Sequence, residues 1–401
     1  MPPFFSVVVP TKNRSFLVGN AIESVLRQTF RDFELIVADN DDTDATTTLL
    51  RRYTDPRLRH LRTGNLSMPD NWEAGVAQTT GQYLVIIEDK QVLKLHALER
   101  MAQVLEREQA QVLTWHWDTY LEGEEGCYVK RGPRSGRLTV KPSVAVLAQV
   151  VGSGFDSIRP YLPHGFNCCV HRTIIDRLTT GPTGRVCLPV APDLTMAFQV
   201  LATADRVYHL DESLSVLGSL QYSNGDALAR KKPEAQRFIR EVGGPEALYR
   251  YVPLRIASIN GNLVFNDYVR LRRQLGGNLT HYPLPKITYY SYLYHEMCYL
   301  ETMMGVDMRA EKRVFAETVA KESSAFRRNL QRRLRPIVFR YALLKLAAGG
   351  RDLLIRTGIW RYLRRLRRAI GAKEYVNART TLDFILEEER RRLVQKGLRS
   401  C

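Results

Sequence analysis

Three apolar runs near the start of the chain, FFSVVVP from Phe4, FELIVADN from Phe33 and QYLVIIED from Gln82, do most to limit its fold. Each is short, rich in Val and Ile, and apolar at both alternating sets of positions, the pattern of a strand buried on both faces of a parallel sheet. Between them SFLVGNAIESVLRQ, ATTTLLRRY and PDNWEAGVAQT read as helices, with LRHLR as a further short strand. Strand and helix alternate over the first 220 or so residues. The expected fold class is therefore α/β, with a mostly parallel central sheet flanked by helices. Polar and acidic residues collect where strands end: Thr11, Asn13 and Arg14 after the first, Asp39 to Asp44 after the second, Glu88 and Asp89 after the fourth. In open sheets of this kind ligands bind at the carboxyl ends of the strands.

A chain of 401 residues with 44% hydrophobic composition can bury a full core and divides naturally into two domains. The division expected here is a sheet domain at 1–222 and a mostly helical, basic region at 223–401. The opening MPPFFSVVVPTKN has neither the basic start nor the apolar core of a secretory signal. The longest apolar stretch, Ile337 to Ile359, is interrupted by Arg340, Lys345, Arg351 and Arg356, which argues against a membrane span. Six cysteines, with Cys168 and Cys169 adjacent and the others scattered, match neither a disulfide framework nor a zinc spacing. They read as buried thiols in a reducing cytoplasm.

The net charge of +17 is unevenly placed. Residues 327–373 hold 15 Arg and Lys against Asp352 alone, so most of the excess sits in this segment. Within it, from Leu353 to Ile370, Ile355, Ile359, Tyr362, Leu363, Leu366, Ala369 and Ile370 share one helical face, and six arginines take the other. Such a helix suits an anionic membrane interface; docking of its apolar face on the protein fits the same pattern. The arginines alone do not point to nucleic acid as a partner, since no binding motif or aromatic platform accompanies them.

The stretch FSVVVPTKNRSFLVGNAIESVLRQTFRDFELIVADNDDTDAT resembles the opening of the inverting glycosyltransferases of family 2, which have the GT-A fold; the resemblance covers about residues 4–220. It implies transfer of a sugar from a nucleotide-diphosphate donor, UDP- or dTDP-linked, to a hydroxyl of a glycan or lipid-linked acceptor in surface polysaccharide assembly. It places Pro10, Thr11 and Arg14 along the nucleotide pocket and Asp39 where a carboxylate accepts a bond from the pyrimidine ring N–H. NLSMPDNWEAGVAQTTGQYL matches a recurrent version of the family, in which Asn71 contacts the donor and Trp72 walls the pocket. Taken alone, Asn71 also reads as a helix-start residue and Trp72 as core.

Inversion requires a base for the acceptor hydroxyl. The family takes an aspartate from a later helix start, and Asp193, after Pro192 in VCLPVAPDLTMAFQ, matches; the alternative for Asp193 is a helix N-cap. His209 and Asp211 read as structural, and His164 and His171 as local hydrogen-bonding residues. The region from Trp115 to Cys187 says little about the acceptor. IIEDKQVL occupies the place of the family's Asp-x-Asp motif, with either Glu88 or Asp89 at the first acidic position and Lys90 or Gln91 at the second. One metal ligand is missing. The expectation is a weakened Mg²⁺ or Mn²⁺ site on Asp89, with Glu88 and Lys90 beside the donor and Lys90 either facing the diphosphate or paired with Glu88.

Overall fold

The computed structural model describes residues 1–123, 126–154, 159–356, 374–376 and 380–395. The amphipathic segment Leu353–Ile370 falls largely outside them. The first half begins as the apolar runs dictate: β1 (Phe5–Thr11), α1 (Ser15–Leu26), β2 (Phe33–Asp39), α2 (Ala45–Leu50), β3 (Leu58–Arg62), α3 (Met68–Ala77) and β4 (Tyr83–Ile86). These four strands are parallel, in the order β3-β2-β1-β4. All seven residues of β1 are buried. Val7 and Val9 point to one face, against Val18, Ile22 and Val25 of α1; Val8 points to the other, with Trp72 and Val76 of α3. Gly75 permits that contact, because a Cβ there would lie 2.6 Å from Cγ1 of Val8.

Beyond β4 the sheet becomes mixed. The chain continues through β5 (Gln91–Leu93), α4 (Ala97–Glu108), β6 (Val112–Gly123), β7 (Gly126–Lys130), β8 (Arg134–Pro142), α5 (Ser143–Ser153), β9 (Cys168–His171), α6 (Arg172–Thr180), α7 (Pro192–Thr203) and β10 (Arg206–Leu217). β9 inserts antiparallel between β4 and β6, while β10 runs parallel to β6 and antiparallel to β5 and β8. α1 and α4 cover one face; α3, α6 and α7 cover the other.

The rest is helical: α8 (Asn224–Ala229), α9 (Pro233–Glu241), α10 (Asn260–Leu275), α11 (Lys286–Met304), α12 (Arg309–Ala320) and α13 (Ser324–Arg356). Phe265, Tyr289 and Leu330 of these helices join Val8, Trp72 and Phe198 in one continuous apolar core, so the helical region packs on the sheet directly. Two late elements return to the sheet: β11 (Glu374–Val376) pairs with β7, and α14 (Thr381–Gln395) lies against α1 and β5. The five described cysteines are free, four of them buried. Among the described residues no helix is long and apolar enough to cross a membrane.

Candidate active site

The carboxyl ends of β1 and β2 are clasped together. Asn13, in the left-handed region at φ 55°, donates its Nδ2 to Asp42 at 2.7 Å and accepts the Asp42 N–H at 2.8 Å, while its own N–H is held by Asp41. An Asn tolerates this conformation better than most side chains. Pro10 lies in β1 opposite Ala38.

Asp39, fully buried at the end of β2, accepts four bonds: from the Asp41 N–H at 3.0 Å, Thr47 Oγ1 at 3.0 Å, His60 Nε2 at 3.0 Å and Arg62 at 2.9 Å. Burial opposes its charge, but the Asp41 amide, His60, Arg62 and Thr47 together outweigh it and hold the carboxyl below its usual range. Asp39 is therefore an anion fixed in orientation.

Glu88 and Asp89 lie just past β4, in the turn before β5. Asp89 accepts from Thr11 Oγ1 at 3.1 Å and pairs with Arg14 at 3.3 Å. Lys90 reaches back to Glu88 at 2.6 Å. Gln91 is buried and donates to the Phe166 carbonyl at 2.7 Å and to Ser215 Oγ at 2.9 Å, which ties the turn to β10 and to the segment before β9. Thr11, Arg14, Glu88, Asp89 and Lys90 are thus one cluster of two acids and two cations with no net charge.

Asn71 is not the helix cap. Ser67 caps α3, accepting the Asp70 N–H at 3.3 Å. Asn71, one turn in and buried, donates to the carbonyls of Ala38 at 3.2 Å and Thr11 at 3.4 Å, and accepts from Thr63 at 2.7 Å. These bonds tie α3 to the ends of β1 and β2. Trp72 is 7% exposed and packs on Gly165: a Cβ there would lie 2.7 Å from Cζ3 of Trp72 and 3.6 Å from Cα of Asp193.

Asp193 stands in the first turn of α7 behind Pro192, and the N-cap position belongs to Ala191. Glu73 of α3 accepts the N–H groups of Val186 and Cys187, Arg185 pairs with Asp70 at 2.6 Å, and Arg270 of α10 donates to the Pro189 carbonyl at 3.0 Å. Val190 is held at φ 87°, a costly conformation for a β-branched residue, directly before this helix start. Asp267, fully buried on α10, accepts the Ala191 N–H at 3.1 Å. Burial, with Asp193 adding and Arg270 opposing, pushes its carboxyl up to about 7.

Reasoning from sequence missed Asp267, although polar Asn262, Asn266 and Asp267 interrupt the apolar face of NGNLVFNDYV. It also missed the Asn13–Asp42 clasp. His171 is, as expected, a local hydrogen-bonding residue: it caps α6 by accepting the Thr173 N–H at 3.3 Å. His164 is buried against the ring of Phe166.

Comparison with known proteins finds similarity in the first part of the chain. Residues 6–149 match the family described as Glycosyl transferase family 2. The chain is 31% identical over 105 residues to the GalNAc(5)-diNAcBac-PP-undecaprenol beta-1,3-glucosyltransferase of Campylobacter jejuni, covering 25% of this chain and 34% of that protein. It is 26% identical over 133 residues to the glycosyltransferase GlyG of Streptococcus pneumoniae, covering 32% of this chain and 44% of that protein. The chain thus spans less than half the length of either relative. Among solved structures, the 1–349 portion of S. aureus TarS in complex with UDP superposes with a TM-score of 0.47 at 13% identity, over 87% of this chain and 92% of that one. Over residues 6–149 this chain is therefore similar to the glycosyl transferase family 2 proteins.

Proposed function

We propose that the chain is an inverting glycosyltransferase moving a sugar from a UDP- or dTDP-linked donor to a hydroxyl of a glycan or lipid-linked acceptor, in surface polysaccharide or glycoconjugate assembly. One observation carries this reading: a continuous chain of contacts joins the donor-side acids to the base candidate. Asp89 bonds Thr11, the Thr11 carbonyl bonds Asn71, and the adjoining Trp72 packs on Gly165, beside Asp193. The undecaprenol diphosphate in the name of the C. jejuni relative supports the lipid-linked class of acceptor.

In this reading Asp39 accepts from the pyrimidine ring N–H, with Pro10 and Thr11 along the same pocket, and Trp72 walls the donor. Asp193 takes the proton from the acceptor hydroxyl as its oxygen bonds to the anomeric carbon and the bond to the diphosphate breaks on the opposite face.

The cluster around Asp89 fits a divalent ion in a weakened form. Its two acids and two cations balance one another, so an arriving diphosphate brings uncompensated negative charge. Asp89 is the carboxylate not tied to a lysine, and it would hold Mg²⁺ or Mn²⁺ together with phosphate and water oxygens, Arg14 releasing it. The ion would neutralise charge on the leaving diphosphate. Arg14, Glu88 and Lys90 remain beside the donor, with Lys90 as the cation that replaces part of that charge if no ion binds.

A panel of sugar nucleotides tested for protection against thermal unfolding checks the whole reading, since a ligand at about 100 times its Kd adds roughly 2.7 kcal/mol. No shift with any donor overturns the enzyme. A shift without turnover on any acceptor favours a silent relative acting as a membrane-associated scaffold. Association with an anionic surface on the inner face of the membrane is proposed through the basic C-terminal helices.

A further inference from the structure

We propose that His116, His209 and Asp211 form a binding site for a divalent transition-metal ion, with Zn²⁺ the best match to the donor set. His116 projects from β6, and His209 and Asp211 from β10, with their ligand atoms in one group. The register of β10 against β6 shifts between Leu210 and Ser213, an irregularity that brings Asp211 alongside His116.

His116 Nε2 lies 3.0 Å from His209 Nε2 and 3.2 Å from Asp211 Oδ1. All three ligand atoms lie within 4.8 Å of one another. Tetrahedral zinc with bonds of about 2.0–2.1 Å separates its ligand atoms by roughly 3.3 Å, close to the two distances from His116 Nε2.

The surrounding bonds leave the ligating atoms available. Thr114 Oγ1 donates toward the Tyr208 carbonyl at 3.4 Å, so its lone pair can accept Nδ1–H of His209 at 2.9 Å; that tautomer frees Nε2. Ser135 Oγ donates to Asp211 Oδ2 at 2.6 Å, leaving Oδ1 for the ion. Outer bonds of this kind orient metal ligands. Tyr161 covers His209 at 4.3 Å between ring centroids, with the Lys141 ammonium over its ring. Asp211 is partly exposed and opens the site to solvent. Three protein ligands leave a fourth position for water, and imidazole with carboxylate suits Zn²⁺ better than Mg²⁺. The site shares no residue with the Asp89 cluster.

The full-length chain, stripped with chelator, is titrated with Co²⁺ and followed by visible absorption. One ion per chain is expected, with the strong band of four-coordinate cobalt, displaced by Zn²⁺. His116→Gln and His209→Gln should each weaken binding at least roughly tenfold, and Asp89→Ala should leave it intact. Absence of the band in the wild-type chain, or unchanged affinity in both histidine variants, overturns the proposal and leaves a hydrogen-bonded triad. Should His209→Gln not fold, the partly exposed His116→Gln and the wild-type titration still decide it.

Discussion

Asp39 ends β2 and Asp193 stands in the first turn of α7, and the proposed function gives these two carboxylates different work. Four donors hold Asp39 as an anion in one orientation, which fits recognition of a ring N–H and disfavours proton transfer. Asp193 sits at a helix start that neighbouring elements pin in place, next to the Trp72–Gly165 contact. Asp193→Asn should therefore keep the thermal shift produced by a donor while transfer falls roughly 10²–10⁴-fold, the usual range for loss of a general base. Activity close to wild type in a coupled assay for released nucleoside diphosphate would reduce Asp193 to a first-turn acid of α7. On the proposed function, Asp89→Ala is expected to abolish transfer, and chelation should slow the wild-type protein until Mn²⁺ or Mg²⁺ is added back. Full rate in excess chelator would reject the ion at Asp89 and make Lys90→Ala the more damaging change.

At the scale of elements, most of the parallel half of the sheet was legible because β1, β2 and β4 are buried on both faces and so are written as apolar runs rich in Val and Ile. The antiparallel half was not: β8 alternates exposed and half-buried residues, and TVKP or RSGRL gives no apolar run to find. The acid-rich strand ends were legible from position alone, but the pairs Asp89–Arg14 and Glu88–Lys90 depend on how the β4–β5 turn folds back. Asp267 was invisible as a partner because α10 reaches α7 only through tertiary packing. Two predictions follow from such contacts. Gly165→Ala forces its new Cβ against Trp72, so kcat should drop while donor protection changes little; an unchanged kcat would mean that Asp193, the proposed base, does not depend on this contact. Asp267 has a native carboxyl raised to about 7 from 3.8, so the folded state keeps a proton that the unfolded state has released across that interval. Stability then falls as pH rises from about 4 to 7. Asp267→Asn, which can still accept the Ala191 N–H, should flatten this slope and unfold at a higher temperature than wild type at pH 8. Parallel melting curves from pH 4 to 8 would refute it.

Across the whole molecule, the basic C-terminal region is both structural and exposed, and a truncation cannot separate the two. Removing everything from Arg327 onward takes away Leu330, Tyr341, Phe384 and Ile385, which are 1%, 5%, 2% and 3% exposed. At roughly 1.5–3 kcal/mol for each buried side chain, that loss rivals the total stability of an ordinary domain. It also removes Glu388, which pairs with Arg134 at 3.1 Å. Such a deletion should unfold the chain whether or not a membrane is its partner. Substitution within α13 is the cleaner test. Leu330, Leu334, Ile337, Tyr341 and Leu344 recur at helical spacing on its inward, buried or half-buried side. On the outward side Phe339, Leu343 and Leu346, spaced four and three apart, are 66%, 50% and 73% exposed, with Arg335, Arg340 and Lys345 exposed among them. An apolar stripe set in basic residues suits an anionic lipid surface, where each Lys or Arg contributes about 1 kcal/mol. The double substitution Phe339→Ser, Leu346→Ser touches only exposed positions, so its melting temperature should stay near that of wild type. Its sedimentation with vesicles containing phosphatidylserine should fall, and wild-type sedimentation should weaken with added salt and with uncharged phosphatidylcholine vesicles. Equal sedimentation of the two proteins would leave α13 as a helix docked on the protein with its arginines in water.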